Sequence, residues 1–181
     1  MKVKLKPEDA ELFYKLFFPL LDYVNENFHI TTEKVRFTGE SVDPQDAYEV
    51  ANFLWNRAGI IDDYLNKMNL PDEHREIIQG WKRCIPGTFI LERHLRKGSV
   101  FISASTEDVY LVNGIIDSWD EMLHGVPTPI VLQATLLPFR NVIITDGLVS
   151  VSPIRFGRNY SDDFKETYMT AKRNGSIKSK I

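Results

Sequence analysis

A chain of 181 residues holds one large domain or two small ones. Its composition, 43% hydrophobic and 12% aromatic, excludes bulk disorder. A net charge of −3 argues against a surface built throughout for phosphate contacts. The charge is unevenly spread: residues 1–85 carry 11 basic and 15 acidic side chains, residues 86–154 carry 4 and 7, and residues 155–181 carry 7 and 3. Only the last segment offers a basic patch.

Cys84 is the sole cysteine, so no disulfide and no cysteine-based zinc or iron–sulfur centre forms within one chain. That usage fits a reducing compartment, and a cytoplasmic location is expected. The start is basic, but Glu8, Asp9 and Glu11 follow at once with no apolar core after them, so no signal peptide is expected. The longest apolar run, residues 16–21, is too short to span a bilayer, and no membrane association is expected.

In chain order, Pro7 suits a first helical turn, and Leu12, Phe13, Leu16, Phe17, Leu20, Leu21, Val24 and Phe28 recur at spacings of three and four. Pro19 inside that run predicts a kink or break near residues 15–19. Residues 29–43 are polar and turn-like, with a short strand over 34–37. Asp43-Pro44 reads as an N-cap followed by a first-turn proline, opening a second helix that Gly59 ends or bends. A helical pattern resumes over 60–69, and Pro71 opens another helix carrying Ile77, Ile78 and Trp81.

Past residue 85 the period changes from helix to strand. Strands are predicted over 88–95 and 99–104, joined by the turn Arg96-Lys97-Gly98, and then over 108–112. A short helix over 116–123, capped by Asp117 or Ser118, precedes a strand over 130–137 that ends at Pro138. Strands over 142–145 and 148–152 flank Asp146-Gly147, the strongest hairpin signal of the chain, which predicts a type I′ turn. A last helix over 161–172 stops at Asn174-Gly175, and residues 176–181 form a frayed tail. Residues 130–137 are apolar on both alternating faces, so the sheet is rolled into a barrel or covered by helices.

The fold class is therefore α+β. A helical region over 1–85 precedes a small antiparallel barrel or curled sheet of two three-stranded meanders, and a C-terminal helix completes residues 86–181. The two parts are expected to share one core.

The chemistry is sparse. Glu92 and His94 stand two apart on a predicted strand, hence on one face, and offer two ligands of a mononuclear metal site. No third ligand lies nearby, and a polar pair on a solvated strand is the plainer reading. Cys84 follows Lys82 and Arg83, which would lower its pKa if it is exposed; a small apolar residue at a helix end is the plainer alternative. Phe156-Gly157-Arg158-Asn159 before the last helix suggests a weak anion site. Arg155 and Arg158 lead a basic C-terminal segment with Lys165, Lys172, Arg173, Lys178 and Lys180, interleaved with Phe156, Tyr160, Phe164 and Tyr168 that could stack on bases. Carboxylate pairs such as Asp62-Asp63 sit at helix starts or on polar faces, where the helix dipole explains them. No serine elbow, Walker loop or dinucleotide fingerprint occurs. No catalytic residue, metal or cofactor is expected.

Leu12-Phe13-Tyr14-Lys15-Leu16-Phe17-Phe18-Pro19-Leu20-Leu21-Asp22-Tyr23-Val24-Asn25 and Leu136-Leu137-Pro138-Phe139-Arg140-Asn141-Val142-Ile143-Ile144-Thr145-Asp146-Gly147-Leu148-Val149 resemble a family of uncharacterised bacterial proteins, common in low-GC Gram-positive organisms. Some members carry a Cys-rich zinc-binding module after the last helix; one cysteine leaves no such module here. The resemblance covers most of the chain. It implies structural fixed points and no activity. The function expected is a non-enzymatic binding or protein-interaction module, with a protein partner or a second copy as its target. A nucleic-acid or regulatory binder using the C-terminal segment is the first alternative, ranked below it because the rest of the chain is acidic. An enzyme of unrecognised type, using Glu92 and His94 or Cys84, is the second.

Overall fold

A computed structural model describes residues 3–31, 35–39 and 42–181. The chain divides into two compact units, Pro7–Cys84 and Ile85–Ile181, the second joined by the chain's first residues up to Lys6. The N-terminal residues thus belong with the strands, because Leu5 donates its N–H to the carbonyl of Gly114 at 3.0 Å.

In the helical unit, α1 (Pro7–Phe28) precedes α2 (Pro44–Trp55), α3 (Gly59–Lys67) and α4 (Asp72–Gly80). Glu8 and Asp9 complement the positive end of α1. The helix runs through Pro19 without the expected break. A proline removes one N–H, while Leu16, Phe17, Leu20 and Leu21 around it are all buried and hold the backbone helical. Asp43 caps α2 as the sequence predicts, its carboxylate accepting the N–H of Gln45 at 2.8 Å. Gly59 opens α3 instead of closing α2, which ends four residues earlier. Aromatic rings fill the core: Phe17 lies parallel to Trp55 at 5.9 Å, and Phe13 meets Trp81 edge-on at 5.7 Å. The strand expected over 34–37 begins outside the described residues, and its last residue, Phe37, sits in a turn. There the buried carboxylate of Asp22 accepts the Phe37 N–H and the Thr38 hydroxyl, each at 2.6 Å.

The second unit contains β1 (Ile85–Leu95), β2 (Gly98–Ser103), β3 (Val109–Val112), α5 (Trp119–Met122), β4 (Ile130–Phe139), β5 (Val142–Thr145), β6 (Ser150–Val151) and α6 (Arg158–Asn174). The strands β1, β2 and β3 form the predicted meander. The second group does not. β4 pairs antiparallel with β5, β6 and β1, while β5 meets β3 in parallel at Val112 and Ile143. The ring β1-β2-β3-β5-β4 closes on β1, with α5 between β3 and β4.

The reason lies in the turns. Asp146-Gly147 is not a type I′ hairpin: Gly147 has φ 82, but Asp146 is not at positive φ. The Asp146 carboxylate accepts the Leu148 N–H at 3.0 Å, and this local turn sends the chain back to β4 instead of along β5. The tight connection is Arg140-Asn141, between the paired residues Phe139 and Val142, with Arg140 at φ 51. Strand β4 passes through Pro138, beyond Leu136, where β1 no longer pairs and a missing N–H costs no ladder bond on that edge.

Alternation divides the barrel residues between two apolar clusters. Phe89, Leu91, Phe101, Tyr110, Val112, Leu132 and Ile143 fill the interior with Trp119 of α5. Ile90, Val100, Ile102 and Val109 point outward and are covered by Tyr168 and Ala171 of α6. Helix α6 begins three residues before the predicted start and ends at Gly175, whose φ of 65 glycine adopts without strain. The tail beyond it is not frayed. Lys178 bridges to β3, donating its N–H to Val109 at 2.8 Å and accepting that of Leu111 at 2.9 Å.

Candidate functional site

Strand β1 carries a bulge. Leu91 faces Phe101 and Arg93 faces Val100, so Glu92 is the extra residue. The bulge reverses the alternation that sequence spacing assigns to the rest of the strand. Arg93 lies on the outer face, its guanidinium 4.5 Å from the Tyr168 ring centre. Glu92 turns to that guanidinium, which raises the Arg93 pKa further. His94 faces Ser99 across the Arg96-Lys97 turn. Ser99 stands two residues before the inward-facing Phe101, on the same side. The structure therefore separates Glu92 from His94, and no cluster of three metal-binding side chains occurs among the described residues.

His94 instead joins residues that sequence reading did not single out. Its Nδ1 is 2.8 Å from the hydroxyl of the buried Ser99. Burial pushes the imidazole pKa below the ordinary histidine range, with the Asp120 carboxylate pulling weakly the other way. Near neutral pH the ring is thus uncharged, with one nitrogen held by Ser99 and Nε2 left to offer a ligand. Both residues line a cavity of about 500 Å³ with Val3, Leu95, Arg96, Ser118 and Asp120. Arg96 and Asp120 supply one exposed charge of each sign.

The far wall is fixed by two devices. Ser118 caps α5 in a reciprocal pair with Glu121: the Ser118 N–H donates to the carboxylate at 2.9 Å, and the Glu121 N–H donates to the hydroxyl at 3.3 Å. Lys4 reaches Asp117 at 3.6 Å and Glu121 at 3.7 Å, tying this corner to the N-terminal segment. Hairpin arithmetic was the available signal for the site: a two-residue turn at Arg96-Lys97 places His94 opposite Ser99, whereas a three-residue turn does not.

The other candidates lie apart. Arg155 and Arg158 are exposed, before and at the first turn of α6. Part of the C-terminal charge is engaged locally: Lys178 pairs with Asp108 at 2.9 Å, Lys180 donates to Asn141 at 3.1 Å, and Arg173 lies 3.7 Å from Glu166. Phe164 and Tyr168 pack on the barrel instead of facing water. Cys84 is half-buried, its thiol 3.8 Å from the Trp55 carbonyl, and Lys82 is turned to Asp62 at 2.6 Å. No helix among the described residues is long and apolar enough to cross a membrane. No protein-family model, curated protein or solved structure matches this chain.

Proposed function

We propose that the protein is a non-enzymatic binding module that takes a small polar ligand in the cavity at the Arg96-Lys97 end of the barrel. One observation carries the reading. A neutral imidazole and a buried hydroxyl, fixed to each other across a hairpin, line a cavity whose volume falls within the roughly 300–1,000 Å³ of ligand clefts. The charges of Arg96 and Asp120 give such a ligand both an anionic and a cationic contact. A cytoplasmic setting belongs to the same proposal, and the family resemblance adds no activity to it.

Nucleic acid ranks second. Some small five-stranded barrels bind oligonucleotides and oligosaccharides on the face of strands 2 and 3, an analogy of fold alone. Here α6 covers that face, and three of the C-terminal cations have local partners.

The test is a small-fragment screen read by NMR on the His94 ring and the Ser99 amide. Fragments that shift both, and lose affinity at least fivefold with Arg96→Gln, are expected. Hits that leave both signals unmoved would remove the cavity from consideration. Labelling of Ser99 by a fluorophosphonate would overturn the non-enzymatic reading. Micromolar binding of single-stranded RNA or duplex DNA at physiological salt, lost on replacing Arg155, Arg158, Lys172 and Arg173 by alanine, would put the nucleic-acid reading first.

A further inference from the structure

We propose that the C-terminal arm, α6 with residues 175–181, is exchanged between two copies of this chain, each arm docking on the barrel of the other. The barrel leaves a slot that a strand must fill. On the side away from β2, strand β3 meets a barrel strand only where Val112 faces Ile143. The main chain of Val109 and Leu111 finds its partner in the arm, through both hydrogen bonds of Lys178. Anchors lie on either side of this contact. The Lys178 ammonium pairs with Asp108, Lys180 donates to Asn141, Ile177 packs with the outer cluster and Ile181 with the interior one. The slot therefore recognises an extended segment with the pattern Ile-Lys-x-Lys-Ile, and a second copy carries it.

Exchange conserves all of these contacts, because an arm from a neighbour presents the same side chains. What differs is the connection. Residues 152–157 form an irregular link between β6 and α6, long enough to extend about 20 Å. Around this link Val151, Ile154 and Tyr160 are 48%, 56% and 63% exposed, three large apolar side chains within ten residues. In a closed monomer they face water. In an exchanged pair the two links run side by side and cover them, which gives the dimer contacts that the monomer lacks.

The experiment uses the full chain with Cys84→Ser. One copy carries Asp108→Cys and another Lys178→Cys; they are unfolded, refolded together and treated with a short bismaleimide. A cross-linked dimer is expected from the mixture and not from either copy alone. The chain bearing both cysteines, refolded in dilute solution, supplies the internal link as a control. An internal link in that control with no dimer from the mixture, even at high protein concentration, overturns the proposal. Adding Ile154→Asp and Tyr160→Ser should lower the dimer yield at least threefold; an unchanged yield would overturn the role given to the link.

Discussion

Gly114 is the residue whose replacement tests the barrel most sharply. It follows β3, bridges to Lys4, and exchanges hydrogen bonds with the N-terminal segment: its N–H reaches the Val3 carbonyl at 3.1 Å, and its carbonyl accepts from Leu5. A Cβ added here would stand 1.8 Å from the Asp117 carbonyl oxygen and 2.7 Å from its carbon. Ordinary carbon–oxygen contacts begin near 3.3 Å, so backbone must move by roughly 1.5 Å. The obstacle is main chain, and no rotamer relieves it. Moving it strains the Ser118 cap, worth about 1 kcal/mol, and two backbone hydrogen bonds of about 1 kcal/mol each. Gly114→Ala should therefore cost about 3 kcal/mol, or roughly 6–12 °C in Tm for a chain of this size. Val3 and Ser118 line the cavity, so ligand binding should fail with it. The assay is urea and thermal unfolding by circular dichroism. Gly59→Ala is the control: nothing lies within 4 Å of its added Cβ, and it should be neutral or up to about 1 kcal/mol stabilising. A Gly114→Ala protein as stable as the parent would refute the reasoning.

Asp22→Ala strands the Phe37 N–H and the Thr38 hydroxyl, and should cost about 2–4 kcal/mol in urea, with faster amide exchange at Phe37; unchanged exchange would sink that account. Because the folded pKa of His94 lies below its unfolded value, the unfolded chain binds the proton first. Stability is then full above about pH 6.5 and declines as pH falls toward the folded pKa, and His94→Gln should flatten that slope. Gly147→Val places a branched side chain at φ 82 and should cost about 1–2 kcal/mol; an unaltered melting temperature would count against it. Lys178 holds the Asp108 pKa down, so this pair helps above about pH 4 and is lost as acid protonates Asp108. Exchange at the Leu111 amide, corrected for its intrinsic rate, should speed up as pH falls below that point and stay unchanged in Asp108→Asn.

Helix periodicity and caps were readable because they are local. Asp43-Pro44 and the apolar face of α1 report their own conformation within a few residues. Pro19 does not break α1 because the cost of one missing hydrogen bond is local, while the burial that outweighs it is not. Asp146-Gly147 misled for a related reason. The dipeptide favours a turn, but the Asp146 side chain selects a different one, and the destination of the chain is set by what β4 already pairs with. The parallel contact of β3 with β5 has no signature in either strand. For the site, His94 was visible and its partner was not, since the pairing turns on whether the connection at Arg96-Lys97 holds two residues or three, and glycine at position 98 favours the longer reading.

That bulge has a mechanical meaning for the strand. From Ile85 to Leu91 the register is held by β4, and from Leu95 back to Arg93 it is held by the two-residue turn to β2. The two constraints disagree by one residue, and Glu92 absorbs the difference, as a phase slip lets two clocks keep their own time. Removing Glu92 would leave Leu91 opposite Phe101, Arg93 opposite Val100 and His94 opposite Ser99. A one-residue deletion between Ile85 and Leu91 would instead shift the residues on its N-terminal side against β4 and carry interior side chains to the outer face. Position 92 is the place in β1 where the chain tolerates a change of length, and the spacing that brings histidine to serine survives there.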